Sequence, residues 1–534
     1  MTLPKTAYFS MEIAIDASLH TYAGGLGFLA GSHMLSAGQL NFPMVGVTVL
    51  WTNGYGEQTI GQDGNIALTY QDRQYDCLVD TGIEVEVKIF GEPVKVRAKK
   101  LEKCTFGSVP IYYLTTDFDS NKPEHRKLTK ILYDGDERTR VSQEVILGRA
   151  GLKVLEAAHE NIDVFHINEG HALPALFALL EKFGGNLSEV RKRAVFTTHT
   201  PVASGNETHP VELLAEAGFF GNMCQDEAAS LGGTNFSLTV AALRMCRKAN
   251  AVSQLHGHVT EGMWEWVEHR CPIVPITNSV NLHYWQDERI NSYKTDEELL
   301  SVKKTMKREL FKQVKQQAGK TYDEDVLTIV WARRFTPYKR AMLLFHDYDR
   351  MAKLLKDKKV QLIYAGKFHP LDTGGQAMFN QALAYAEEFD NVSVLLNYDL
   401  ALSGLLKRGA DVWLNTPRRP LEASGTSGMS ANMNGAIHCS TFDGWAVEGT
   451  FDGINGFIIN EHVDLSNLSH EDQDNLDHEA MMDLIENRII PMYYNDKSQW
   501  ADVMRNAINT AEAYFTSERM VIEYYNQLYK PISL

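Results

Sequence analysis

Short apolar runs separated by longer amphipathic segments recur along the whole 534-residue chain, and this alternation restricts the fold more than any other feature. A continuous apolar run suits a strand buried on both faces, and parallel strands need a helical crossover between them. The pattern therefore predicts an α/β chain of repeated βαβ units, not a β-sandwich. Strands are expected at Lys5–Ser10, Met44–Trp51, Asp163–Ile167, Arg193–Thr198, Val326–Ala332, Val360–Ala365 and Val392–Leu396. The stretch 58–117 alternates apolar and polar residues between turns and reads as a β-rich insertion. A charged amphipathic helix, Thr295 to Gln317, precedes a second apolar series, so a first domain over 1–285 and a second over 286–500 are expected. Residues 501–534 read as helical, with a last helix near Asp502–Leu528 crossing back onto the first domain.

Composition narrows the partners. Hydrophobic residues at 44% and charged residues at 22% describe a globular chain, and a net charge of −16 repels polyanions. Nucleic acid and anionic membrane are therefore not expected as partners. The six cysteines show no C-x-x-C pairing, which fits reduced thiols. The N-terminus MTLPKTAYFSMEIAI lacks a basic region before a long apolar core, and no window reaches the length of a membrane span. A cytoplasmic location is expected.

Several residues fall where open α/β sheets bind ligands, just beyond strand ends. Gly24, Gly25, Leu26 and Gly27 open the first helix, and Gly25, Gly27 and Ala30 satisfy G-x-G-x-x-A. The second strand ends in Trp51-Thr52-Asn53-Gly54 without the acidic residue that a dinucleotide site needs. His166, Glu169 and His171 follow another strand, but H-x-x-E-x-H does not put both histidines on one helical face, so no metal is expected there. His199 sits before a proline at a strand end, and Asn278 follows a further apolar run. The run RRFTPYKR places Arg333, Arg334, Lys339 and Arg340 after a core strand, a pairing of forked and point cations suited to adjacent phosphates. Lys367 and Tyr398 end two more strands. Finally, NTPRRPLEASGTSGM gives Glu422, Ser424, Gly425, Thr426, Ser427 and Gly428 before a helix expected over Met429–Ala436, a loop shaped for an anion or a sugar.

EASGTSGM, with NTPRRP before it and NGA and DGW after it, resembles the donor-site segment of the α-glucan (glycogen, starch, maltodextrin) phosphorylases in their short microbial form. HINEGHALPAL, FTTHTPVASGN, VPITNSVNLHYW and RRFTPYKR resemble further segments of that family, in the same order. The resemblance implies two Rossmann-like domains facing a cleft, the GT-B glycosyltransferase architecture, and retaining transfer of glucosyl between an α-1,4-glucan and phosphate. It implies that Arg334 and Lys339 bind phosphate, that Tyr338 lies near the cofactor, and that the loop matching Gly24–Gly27 covers the substrate phosphate. It also sets His199 against the donor sugar, Glu169 and His171 on the acceptor side, and Asn278 at a sugar hydroxyl. Family members are often dimers, so a homodimer is an expectation as well.

One departure decides the chemistry. The family carries, directly after the Met of this motif, a lysine that holds pyridoxal 5′-phosphate as a Schiff base, and here that residue is Ser430. A hydroxyl forms no imine, so no covalently bound cofactor is expected. The leading expectation is a cofactor-independent retaining hexosyltransferase. Its donor would be a sugar phosphate or nucleotide sugar, and its acceptor a carbohydrate or other hydroxyl. Arg334, Lys339, His199 and Glu422 would carry the transfer. An α-glucan phosphorylase, with pyridoxal phosphate held non-covalently or altered from a lysine-bearing parent, and a non-catalytic sugar-phosphate-binding protein both stay open.

Overall fold

The computed structural model describes residues 3–465 and 467–530. Two compact units divide the chain. The first takes the residues up to Gly56, Tyr70–Asn278 and the chain from Ser517 on; the second takes Glu57–Thr69 and Ser279–Thr516.

Nine strands of the first unit form one sheet: β1 (Thr6–Phe9), β2 (Met44–Val49), β3 (Val79–Ile89), β4 (Glu92–Leu101), β5 (Ile111–Thr115), β6 (Val164–Asn168), β7 (Ala194–Thr197), β8 (Lys248–Ala251) and β9 (Ile273–Pro275). Their order is β9-β8-β7-β6-β1-β2-β5-β4-β3. Pairing is parallel from β9 to β5 and antiparallel at β5–β4 and β4–β3. The second unit holds a six-stranded parallel sheet: β10 (Leu327–Ala332), β11 (Val360–Ala365), β12 (Val392–Leu395), β13 (Val412–Asn415), β14 (Ile437–Thr441) and β15 (Gly456–Ile459), ordered β12-β11-β10-β13-β14-β15. The runs TAYF, MVGVTV, LTIVWA and VQLIYA are buried at every position, as parallel strands covered on both faces require.

The parallel part of each sheet reverses direction once. In the first, β1, β2 and β5 progress one way and β6 to β9 the other, so the reversal lies between β1 and β6. In the second it lies between β10 and β13. At such a point neighbouring loops diverge and leave a crevice at the carboxyl ends of the strands.

Three expectations are corrected. The 58–117 stretch is not one insertion: β3 to β5 extend the main sheet, while the hairpin of Glu57–Ile60 and Ile66–Thr69 packs into the second unit. There Gln58 Nε2 donates to the Gly366 carbonyl at 3.0 Å, and its Oε1 accepts the Asn397 amide at 3.0 Å. Alternation shows that strands exist but not which sheet pairs with them. The last helix is likewise broken into Lys497–Tyr514, in the second unit, and Ser517–Glu523, in the first. The returning segment docks by polar contacts: the Tyr529 hydroxyl lies 2.7 Å from His166 Nδ1, and Asn250 Nδ2 donates to the Tyr524 hydroxyl at 2.9 Å. The helix expected over Met429–Ala436 runs instead over Ser427–Asn432. Among the described residues no helix is long and apolar enough to cross a membrane.

Candidate active site

At the reversal of the second sheet, the residues after β10 meet those after β13. Arg333 leaves β10 with its amide still on the Ala365 carbonyl at 3.1 Å. Its own carbonyl lies where a Cβ on Gly366 would stand, 1.8 Å away, so this close approach admits only glycine. The Arg333 side chain reaches Glu422, Nη2 to Oε2 at 2.7 Å, and Lys339 Nζ donates to the same oxygen. Arg333 and Lys339 are buried, and the Glu422 side chain is 11% exposed. Burial works to raise the Glu422 carboxyl, but the charges and hydrogen bonds of Arg333 and Lys339 outweigh it and hold it at about 2.

Asp443, after β14, braces this loop. Its two oxygens accept the Glu422 and Gly444 amides, each at 2.9 Å, and the Ser424 carbonyl accepts the Trp445 amide at 3.0 Å. Burial pushes the Asp443 carboxyl up to about 8 against those two amides, with Glu422 adding to the rise. A neutral acid thus sits behind an ionised one. Two polar atoms here are buried without a hydrogen-bond partner, Arg333 Nη1 and Ser424 Oγ. No side chain caps the helix that starts at Ser427. Ser430, fully buried on that helix, donates back to the carbonyls of Ser427 and Thr426 at 3.1 and 3.3 Å.

The cation cluster divides. Arg333 and Lys339 face Glu422, whereas Arg340 turns away to Asp477 at 2.7 Å and Asp474 at 2.9 Å. Arg334 is exposed. Tyr338 lies with its ring 4.7 Å from Lys339 Nζ, and the Tyr398 hydroxyl is 2.8 Å from Ser403 Oγ. Lys367 is half-buried, and its carbonyl accepts the Phe335 amide at 2.8 Å. Asp443 went unnoticed in the sequence; its only signal was the DGW motif at a strand end.

At the reversal of the first sheet, the glycine loop after β1 already holds an anion of its own. Glu12 Oε2 accepts the Ala23 and Gly24 amides at 2.6 and 3.1 Å, and Tyr133 donates to Oε1 at 2.8 Å. Glu169, after β6, has φ +65°, a backbone state that a non-glycine residue keeps only under constraint. Its carboxylate supplies one, accepting the His199 amide and the Thr200 hydroxyl. Burial pushes Glu169 up to about 7, although those bonds oppose it. The His199 amide is therefore occupied, and its Nε2 lies 2.8 Å from Asn168 Oδ1. Burial takes both His199 and His171 down to about 3, so both are neutral imidazoles. Asn278 Oδ1 and His171 Nδ1 are buried without a partner. The first unit thus carries Gly24–Gly27 after β1 and Glu169 and His171 after the neighbouring β6, with Glu169 joined to His199 after β7, and the second brings Lys339 to Glu422, just before Ser424–Gly428.

Residues 276–454 match the carbohydrate phosphorylase family. A maltodextrin phosphorylase of Thermococcus litoralis is 33% identical over 98% of this chain and 70% of its own length. The chain belongs to the phosphorylase family. A glycogen phosphorylase of Aquifex aeolicus is 32% identical over 98% of this chain and 86% of its own, and an uncharacterized protein of Methanocaldococcus jannaschii is 45% identical over 99% and 100%. The family match spans Asn278 and every second-unit site residue from Arg333 to Asp443. The mixed α/β sheets with their parallel cores are consistent with membership.

Proposed function

We propose that this phosphorylase-family chain is a retaining glycosyltransferase, moving a hexosyl unit from a phosphate-activated donor, a sugar phosphate or nucleotide sugar, to a carbohydrate hydroxyl. The observation that carries the reading is the Glu422 clamp: one carboxylate between Arg333 and Lys339, with Arg333 Nη1 and Ser424 Oγ buried and partnerless beside it. Polar groups gathered in a buried site and left unsatisfied mark a place for a polar ligand. Lys339, Arg333 and the exposed Arg334 would stabilise the charge of the departing phosphate, and Glu422 with the loop from Ser424 to Gly428 would orient the sugar. His199, neutral and held by Asn168, offers its main-chain carbonyl in place of its occupied amide.

The residues present do not fit a Schiff-base cofactor. Ser430 has no amine, and its hydroxyl is turned onto two carbonyls of its own helix. A second reading, release of glucose 1-phosphate from an α-glucan, is favoured by the relatives named maltodextrin and glycogen phosphorylase.

The test joins a spectrum to a binding panel. The purified protein should lack the absorbance and fluorescence of pyridoxal phosphate, and a nucleotide sugar or glucose 1-phosphate should raise its thermal midpoint by ligand linkage. Bound pyridoxal phosphate together with phosphorolysis of maltodextrin would replace the first reading with the second.

A further inference from the structure

Beside His171 lies a set of buried ionisable side chains that the proposed transfer does not use. The helix Glu137–Val145 carries Arg140 and Glu144 one turn apart, and Glu207 and His209 come from the short strand Thr208–Pro210 and the residue before it. Arg140 holds Glu207 with two bonds, Nε to Oε1 at 3.0 Å and Nη2 to Oε2 at 2.9 Å. His209 Nε2 lies 3.1 Å from Glu207 Oε1, and its Nδ1 lies 2.9 Å from Glu137 Oε1. Glu144 is wholly buried, and neither of its oxygens has a hydrogen-bond partner. Arg140 Nε lies 3.9 Å from its Oε1, beyond hydrogen-bond reach. One ligand atom each from Glu144, Glu207 and His209 lies within 4.8 Å of the other two.

An ionised carboxylate buried without a donor is too costly to persist, so something must neutralise Glu144. A divalent cation would do so. The Arg140 guanidinium, however, already engages both oxygens of Glu207 and puts positive charge on the same atoms, which disfavours a second cation. A proton meets the need without that repulsion.

We propose that Glu144 and Glu207 share one proton, carried on Glu144, and that the pair is a positioning device for His171. Burial and the neighbouring Glu207 charge push the Glu144 carboxyl well up, against Arg140. Glu207 is held well down despite its burial, by the Arg140 charge and by its hydrogen bonds with His209 and Arg140. The other ionisable groups around the pair include Glu137, on His209, Tyr133, whose ring lies 4.6 Å from the Arg140 guanidinium, and Glu169, whose carboxyl the Glu207 charge helps to push up. His171 Nε2 faces Glu207 Oε2 at 3.5 Å. Next to an ionised carboxylate the neutral imidazole keeps its proton on Nε2. Its buried, partnerless Nδ1 then presents a lone pair, fit to accept a bond from an acceptor hydroxyl. This last role rests on the glycosyl-transfer reading; the shared proton does not.

The test reads the proton and not turnover. Near neutral pH, the infrared spectrum of the whole protein minus that of Glu144→Gln should show a protonated-carboxyl C=O band, which separates Glu144 from other buried acids. Glu144→Gln, a neutral isostere, should fold and match or exceed the parent in thermal midpoint, with its advantage growing as the pH rises above the ordinary glutamate range because an amide has no proton to lose. A difference spectrum without the band would overturn the proposal. So would a divalent metal that copurifies with the parent and is lost from the variant, or a variant that cannot fold.

Discussion

Arg333 Nη2 lies 2.7 Å from the Glu422 carboxylate, whereas Arg334, its neighbour in the chain, is exposed. Leaving β10, successive side chains point to opposite sides. One arginine therefore enters the reversal of the sheet, and the other stays at the surface. Glu422 is consequently both a candidate sugar-orienting group and the counter-ion of two buried cations. Glu422→Gln should lower the unfolding free energy by about 3 kcal/mol, because it strands Arg333 and Lys339 without their charge partner. Phosphate or sulfate should restore more stability to the variant than to the parent in denaturant titrations. Since this carboxyl is held down at about 2, its stabilising share is present above its unfolded value and is lost as the pH falls towards about 2.

Lys339→Ala should reduce glycosyl transfer by about 100-fold or more, the usual effect of deleting one preorganised charge donor at a reacting centre. Unchanged turnover in a donor-consumption assay would remove Lys339 from the phosphate site. Ser430→Ala, by contrast, should leave turnover and fold nearly intact, since its hydroxyl only back-bonds within its helix.

The glycines of the first helix separate by role. A Cβ on Gly31 would stand 1.7 Å from the Ala14 carbonyl, and one on Gly27 would stand 2.6 Å from Glu12 Oε2, while Gly24 has nothing within 4 Å. Gly31→Ala should destabilise by about 2 kcal/mol or more through overpacking. Gly24→Ala should leave the thermal midpoint almost unchanged. If the loop covers a substrate phosphate, Gly24→Ala should weaken donor binding in a calorimetric titration.

Asp443 and Glu169, pushed up to about 8 and about 7, are acids whose folded values exceed their unfolded ones. Their stabilising share is full below the unfolded values of about 4 and is lost as the pH rises through about 7 to 8. The parent should therefore lose thermal midpoint between about pH 6 and about pH 9. Asp443→Asn should start about 1 kcal/mol less stable, because an amide N–H would face a backbone donor, but should show a flatter profile over that range.

The sequence by itself determined the α/β class, most of the buried strands and the chemistry at their ends. A run such as LTIVWA can only be a covered strand or a buried helix, and its length and β-branched residues favour the strand. It also marked Lys339, Glu422, Glu169, His171 and His199 as residues beyond strand ends. Tertiary structure decided what those residues meet. Strand order put Arg333, not Arg334, on Glu422; it assigned the Glu57–Thr69 hairpin to the second unit and brought Asp443 behind the loop. The Glu144–Glu207 pair was equally invisible, because 63 positions of chain separate two carboxyls that lie within 4.8 Å. Periodicity records which face of an element is buried, a local property. Partners across a sheet depend on the order and hand of the crossovers, which no local pattern encodes.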